Sequence, residues 1–169
     1  HLRKISNKKN QLKYNDILIN KILKNKRENL FSGVSINSKT IKKNNLFIAI
    51  KGKNKDGHNF LNQAISKGAN YCVVSKNVKK RFKPIKVKNT FNFLKTFSIK
   101  KRELSSAKFV AITGSAGKTS LKTMLGNLLK LYSKTYFSPQ SYNNHYGVPL
   151  SLSNIEPEHN FGVFEVGMN

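Results

Sequence analysis

Short apolar runs separated by polar turns give the first picture of this chain. Leu46-Phe47-Ile48-Ala49-Ile50 and Tyr71-Cys72-Val73-Val74 are continuous apolar stretches of strand length, and Ile85-Lys86-Val87 is a shorter one. Runs that are apolar at every position, not at every second one, mark strands covered on both faces. Residues 12–25 place Leu12, Ile17, Leu18, Ile19, Ile22 and Leu23 at mostly helical spacing, and Ser32–Ser35 is a short run before the polar turn 36–40. Residues 58–67 predict a helix with Phe60, Leu61, Ala64 and Ile65 on one face, stopped by Gly68. Residues 90–104 predict another, with Phe91, Leu94, Phe97 and Leu104 inward. Ser105-Ser106-Ala107 reads as a domain boundary, after which the pattern restarts. Phe109–Ile112 predicts a strand, a Gly-rich turn follows, and residues 118–131 predict a helix. A short strand near 134–137, a loop or helix start at 144–149 and an apolar strand over Gly162–Val166 complete the chain.

Such alternation predicts an α/β protein: a small N-terminal α/β domain over residues 1–106, then the start of a second domain with a mainly parallel sheet over residues 107–169. The second stretch offers too few strands for a whole nucleotide-type domain. With His1 at one end and an apolar run just before the other, the chain reads as cut at both ends.

Charge changes this picture less than its size suggests. The 169 residues hold 32 Lys+Arg against 7 Asp+Glu, a formal net charge of +25. A surplus of that kind points first to a polyanion partner. However, 28 of the basic residues are Lys and only 4 are Arg, and 22 Asn accompany them, all evenly spread. Nucleic-acid modules concentrate charge on one face and favour Arg for bidentate contacts. The even Lys/Asn excess reads instead as compositional drift of the kind an AT-rich genome produces, so no nucleic-acid partner is expected. The surface still favours anionic ligands such as nucleotides. The lone Cys72 excludes an intramolecular disulfide and sits in an apolar run, as a buried small side chain would. No stretch approaches the length of a membrane span and no signal peptide is legible, so a cytoplasmic protein without a membrane partner is expected.

The most informative stretch is Thr113-Gly114-Ser115-Ala116-Gly117-Lys118-Thr119. It follows a predicted strand and opens a predicted helix, the context a phosphate-binding loop requires. Glycines let backbone N–H groups converge on a phosphate, and the helix N-terminus adds positive potential. Lys118 is placed to reach β- and γ-phosphates, and the Thr119 hydroxyl to ligate Mg2+. The common phosphate-loop pattern carries a glycine at the position of Ile112, so this is a compressed variant. Glu165 draws attention separately. It is one of only seven acids and ends an apolar strand, where a carboxylate is costly unless it meets a cation or faces the ligand crevice at the strand ends.

These residues resemble the Mur ligases, ATP-dependent enzymes that build the peptide stem of bacterial cell-wall precursors. The T-G-S-x-G-K-T loop is similar to theirs. Asn143-Asn144-His145-Tyr146-Gly147-Val148-Pro149-Leu150-Ser151-Leu152 and Phe164-Glu165-Val166-Gly167-Met168-Asn169 resemble segments of the branch that adds D-alanyl-D-alanine. In the first half, Leu46–Gly52 followed by Asp56-Gly57-His58-Asn59-Phe60 resembles the family's L-F-x-A-x-x-G…D-G-H-x-F stretch. The family's Asp-Ser-Arg turn reads Asn37-Ser38-Lys39 here, and Lys lacks the planar fork of Arg. The resemblance covers residues 12–169.

It implies a UDP-substrate domain over residues 1–106, the incomplete start of a central ATP-binding domain over residues 107–169, and a C-terminal domain absent from this chain. It implies ATP as a substrate with Mg2+, UDP-N-acetylmuramoyl-tripeptide and D-Ala-D-Ala as partners, and an acyl-phosphate route. A monomer is expected at full length and no ligase activity from the isolated chain. Lys118 and Glu165 are implied as catalytic, Thr113–Thr119 as nucleotide-binding, Thr119 and Glu165 as Mg2+ ligands. Ser38, Lys39, His58, Asn143 and Asn144 are the candidate substrate contacts. For His58 a loop-structural role is as strong an expectation as a UDP contact, and the Lys pairs at 79–80 and 100–101 are expected on the solvated surface. The alternatives are another Mur-type ligase or a folylpolyglutamate- or cyanophycin-type ligase, a non-catalytic UDP-binding module, and a basic phosphate-loop protein that binds nucleic acid.

Overall fold

A computed structural model describes residues 8–24 and 28–167. The predicted end of the first helix at residue 25, and Met168 and Asn169 of the last family-like segment, lie outside the described residues. The described chain is mixed α/β with two parallel sheets, as the hydrophobic pattern requires. Its two compact units divide within one helix, between Phe97 and Ser98.

The first unit opens with helix α1 (Lys8–Leu23). Tyr14, Leu18 and Ile19 form its buried face, and Asn15 is buried with them because its amide donates to the carbonyl of Phe31. Ile17, expected in the apolar set, points outward. Four strands follow: β1 (Gly33–Ser35), β2 (Asn45–Ile48), β3 (Ala69–Val74) and β4 (Pro84–Lys86). They pair in sequence order, all parallel. Every residue of β2 is buried, which is why its sequence shows no alternation. A short 3-10 turn (Gly57–Phe60) leads into helix α2 (Leu61–Ser66), whose Leu61 and Ala64 pack with Phe47, Cys72 and Val74. Phe60, expected on that inward face, is exposed because it lies in the turn before the helix. Cys72 is fully buried, and its thiol is pushed up to about 12 by that burial, so it is an inert core residue.

Helix α3 (Thr90–Leu104) buries Phe93, Leu94 and Phe97, and Phe97 packs against Phe93 and Phe31. Three expectations fail along it. Phe91 is only half-buried, its place on the inner face being taken by Phe93, and Leu104 is 47% exposed. Lys101, expected on the solvated surface with Lys100, is 0% exposed. It stands one helical turn beyond Phe97, and its ammonium lies 3.3 Å from Glu156 Oε1. Burial lowers its pKa, and the charge of Glu156 pulls it back up. The expectation held for Lys79, Lys80 and Lys100, which are exposed.

The second unit contains β5 (Lys108–Ile112), helix α4 (Lys118–Lys130), β6 (Thr135–Phe137), helix α5 (Gly147–Ser153) and β7 (Phe161–Glu165). The three strands are parallel in the order β5-β7-β6, so the last strand of the chain inserts between two earlier ones. Phe109, Phe164 and Tyr136 share one sheet face and pack with Leu152 and Ile155. Helix α4 comes close to β6 because residue 126 is glycine: a Cβ there would collide with the Phe137 ring.

Candidate functional site

The register of the second sheet builds the site. Ile112, the last residue of β5, lies opposite Glu165, the last residue of β7, and Val166 N–H donates to the Ile112 carbonyl. Glu165 therefore stands at the carboxyl end of the central strand, beside the point where β5 enters the Thr113–Lys118 loop. On the other flank Phe137 of β6 pairs with Val163, and the chain leaving β6 carries Ser138, Gln140, Ser141 and Asn143 toward the same crest. Ligand crevices of open parallel sheets lie at such carboxyl ends.

Backbone conformation shapes the loop. Gly114 has φ +141° and Gly117 has φ +73°, values that side chains with a Cβ rarely adopt. Gly117 precedes α4 directly, so the free N–H groups of the helix start face the loop. The Lys118 ammonium curls over the loop and donates to the carbonyls of Gly114 (2.6 Å) and Ser115 (3.4 Å).

Four side chains then converge. The Thr119 hydroxyl donates to Glu165 Oε2 at 2.8 Å and lies 2.9 Å from Ser141 Oγ. The Asn143 amide donates to Glu165 Oε1 at 2.8 Å. Glu165 is 2% exposed. Burial alone would raise its pKa, but the hydrogen bonds from Thr119 and Asn143 and the charges of Lys122 and Lys118 outweigh it, so the carboxyl titrates below the usual glutamate range. A cleft of about 300 Å3 opens over these groups, lined by Ser115–Ser120 with Ser141, Asn143 and Glu165. Ala116 and Gly117 are part of its loop wall, whereas Thr113 and Gly114 lie in the loop outside the lining.

The paired asparagines separate. Asn143 faces Glu165, whereas Asn144 accepts from the N–H groups of Tyr146 and Gly147 and so starts α5. Asn144 thus acts locally, on its own backbone. Ser141 and Lys122 join the site without having been singled out in the sequence. Lys122 donates to the Gln140 carbonyl (2.8 Å) and to Ser138 Oγ (3.2 Å), and its ammonium is 3.8 Å from Glu165 Oε2. Burial lowers its pKa, against the pull of Glu165.

The donor set can be tested against a cation. Thr119 Oγ1, Glu165 Oε2 and Ser141 Oγ are all hard oxygens, the type Mg2+ takes. Among the described residues no group of three or more His, Cys, Asp or Glu stands ready to hold a metal alone. This suits an ion that completes its shell with phosphate oxygens and water.

Ser38, Lys39 and His58 belong to the first unit. The Ser38 hydroxyl donates to Gln63 Oε1 (2.6 Å) and is buried, and Lys39 is exposed in a turn closed by the Asn37 side chain. His58 is engaged at both ring nitrogens. Nε2 accepts from the Ser75 N–H (3.0 Å), which leaves Nδ1–H to donate to Asp56 Oδ1 (2.6 Å). Lys76 clamps the other Asp56 oxygen at 2.6 Å and, against the opposing effect of burial, holds that carboxyl well below its usual range. This is the wiring of a loop brace; the ring has no hydrogen-bonding atom left over. A concavity of about 290 Å3 beside it is bordered by Asn59, Asn62, Lys79 and Arg81.

The chain is similar in sequence and fold to known proteins. A UDP-N-acetylmuramoyl-tripeptide–D-alanyl-D-alanine ligase of Rickettsia prowazekii is 44% identical over 138 residues, 80% of this chain and 30% of that protein. The enzyme of the same name from Escherichia coli is 36% identical over 124 residues, 73% of this chain and 27% of its own length. The chain therefore spans about a third or less of these relatives. Among solved structures, a UDP-N-acetylmuramoylalanyl-D-glutamyl-2,6-diaminopimelate–D-alanyl-D-alanyl ligase from Acinetobacter baumannii superposes with a TM-score of 0.73 at 26% identity, over 91% of this chain and 36% of that one. A MurF ligase from Thermotoga maritima in complex with ADP gives 0.61 at 31% identity, over 80% of this chain and 32% of that one. The sequence model for the Mur ligase middle domain matches residues 112–169, and that for the Mur ligase family catalytic domain matches residues 30–115. The latter match alone takes in half of the sequence: the chain belongs to the Mur ligase family.

Proposed function

We propose that this chain is the amino-terminal portion of a MurF-type enzyme, an ATP-dependent ligase that joins D-alanyl-D-alanine to UDP-N-acetylmuramoyl-tripeptide in peptidoglycan precursor synthesis. Residues 1–106 serve the UDP substrate and residues 107–169 begin the ATP-binding domain. The observation that carries the reading is the convergence of Thr119, Glu165, Ser141 and Asn143 on the mouth of the Thr113–Lys118 loop. The ADP complex of the Thermotoga relative supports nucleotide binding by a protein of this fold.

The reaction activates a carboxylate by phosphoryl transfer, giving an acyl phosphate that an amine then attacks. Such a step needs charge stabilisation on the transferring group more than covalent help. The loop N–H groups and the α4 N-terminus bind the phosphates. Lys118, whose donors rest on the Gly114 and Ser115 carbonyls, exchanges those acceptors for β- and γ-phosphoryl oxygens and counters the charge that develops there. Thr119 and Glu165 are the residues that would hold Mg2+, with Ser141 beside them. The ion, when bound, neutralises phosphate charge and fixes phosphate orientation. Asn143 orients the Glu165 carboxylate, which its low pKa keeps anionic across the neutral range. Ser38 and Lys39 form one turn of the UDP-substrate domain, and His58 braces the loop after β2.

The test is phosphate release by the full-length gene product supplied with ATP, Mg2+, UDP-N-acetylmuramoyl-tripeptide and D-Ala-D-Ala. Release that requires both the tripeptide and the dipeptide is expected. Release driven by a single amino acid and a shorter UDP-peptide would move the protein to a sister ligase.

A further inference from the structure

Of the two lysines at the start of α4, Lys122 is the one the phosphate-loop chemistry does not use, and it is the most deeply set group of the site. It lies one helical turn beyond Lys118 on α4, so the two lysines project from the same side of the helix. Their surroundings differ. Lys118 reaches the loop, whereas Lys122 is 1% exposed and turned under the crest. A buried ammonium is costly unless every proton finds a partner. Here two go to the Gln140 carbonyl and Ser138 Oγ, and the third side faces Glu165 Oε2 at 3.8 Å. Ser138 Oγ itself donates to the Gln140 carbonyl at 3.0 Å, which closes the cluster.

The partners of Lys122 define what it can do. Glu165 Oε2 is the oxygen that also accepts from Thr119. Residues 138–140 lead directly to Ser141, whose hydroxyl meets Thr119. One ammonium therefore ties together the central-strand carboxylate and the segment that delivers Ser141. A leucine or methionine would fill the same space at no desolvation cost, so packing does not require a lysine here.

We propose that Lys122 is a positioning residue for the Mg2+-nucleotide site: it fixes Glu165 Oε2 and Ser141 Oγ relative to Thr119, so that the three oxygens form one preset face toward the cation. The proposal rests on the reading of this cleft as a Mg2+-nucleotide site. Partners of metal ligands commonly carry about 10- to 100-fold of metal affinity.

The experiment is calorimetric titration of the full-length protein with AMP-PNP, in EDTA and across a MgCl2 series, for wild type, K122M, E165Q and K122M/E165Q, with thermal melts alongside. K122M is expected to keep its AMP-PNP affinity in EDTA within about twofold, because the loop and Lys118 are untouched. Its half-saturating Mg2+ is expected to rise about tenfold or more. The double variant is expected to lose clearly less than the sum of the two single losses, because Lys122 acts in part through that carboxylate. A general packing defect would instead weaken binding in EDTA as well. Unchanged half-saturating Mg2+ in K122M overturns the proposal, as does an additive loss in the double variant. If K122M fails to fold, S138A is read by the same criterion: a smaller rise in half-saturating Mg2+ supports the proposal and none overturns it. Wild-type binding indifferent to Mg2+ would refute the metal reading of the cleft itself, a result distinct from the failure of K122M alone.

Discussion

Replacing Lys101 by Met should remove a buried countercharge from the Glu156 carboxylate, and the size of the effect can be worked out. Lys101 is 0% exposed, and Glu156, 3.3 Å away, is itself buried. Met matches the stem of lysine and keeps its packing, so the variant mainly loses the countercharge. Breaking one side of a buried pair typically costs about 3–5 kcal/mol. Glu156, deprived of that countercharge, has an escape, however: it can take up a proton. A glutamate in water does so near pH 4.3, and each pH unit above that costs about 1.4 kcal/mol, so escape caps the penalty near 3.7 kcal/mol at pH 7. At pH 5.5 the same cap falls to about 1.6 kcal/mol. The assay is urea unfolding followed by circular dichroism, since this chain has no tryptophan. K101M should therefore lose about 3 kcal/mol at pH 7 and roughly half of that at pH 5.5, and K101M/E156Q should recover most of the loss. A K101M penalty that stays constant between the two pH values would refute the argument, because it would trace the cost to packing and not to the lost countercharge.

Three further outcomes follow from the site and the fold. Lys118→Ala in the full-length enzyme should lower turnover by orders of magnitude with the melting temperature unchanged; near-normal turnover would remove Lys118 from phosphate stabilisation. Gly126→Ala should destabilise by about 1–3 kcal/mol, because the new methyl meets the Phe137 ring, and adding Phe137→Leu should restore part of that in urea melts. Glu165 has a folded pKa below its ordinary value of 4.5, so its stabilisation is fully present above that value and is lost as pH falls through the lower folded one. Acid unfolding of wild type should accordingly be steeper than that of Glu165→Gln, and parallel curves would contradict the assignment.

The parts of the fold that were legible in the sequence are those where one physical demand dominates. Strands β2, β3 and β7 are buried on both faces, and their unbroken apolar runs say so. The tight turn over Thr113–Lys118 is legible because its glycines answer a conformational need that does not depend on distant residues. Lys101 failed to read as buried for the opposite reason. Its position follows Phe97 at helical spacing, but the partner that makes burial tolerable, Glu156, is remote in sequence. Lys122 and Ser141 were hidden in the same way, in a chain so rich in lysine that one more carries no signal. Asn143 and Asn144 are identical neighbours in sequence, and only the turn of the backbone sends one to Glu165 and the other to the start of α5. Leu104 and Phe91 misled because apolar residues also occupy helix positions outside the buried face: Leu104 is exposed, and Phe91 is half-buried with the Lys95 ammonium over its ring.

The insertion of β7 between β5 and β6 also has a bearing on synthesis. Among the described residues both earlier strands pair with β7 alone, so that pairing waits until residues 161–165 have left the ribosome. At roughly 5–20 residues per second, the phosphate loop waits several seconds as a nascent segment before its carboxylate arrives. Throughout that interval β5 and β6 offer open edges to other chains. The central strand thus acts as a late keystone: the loop, Thr119 and Glu165 come together in one closing step, and a chaperone that shields residues 108–137 would have its greatest effect just before it.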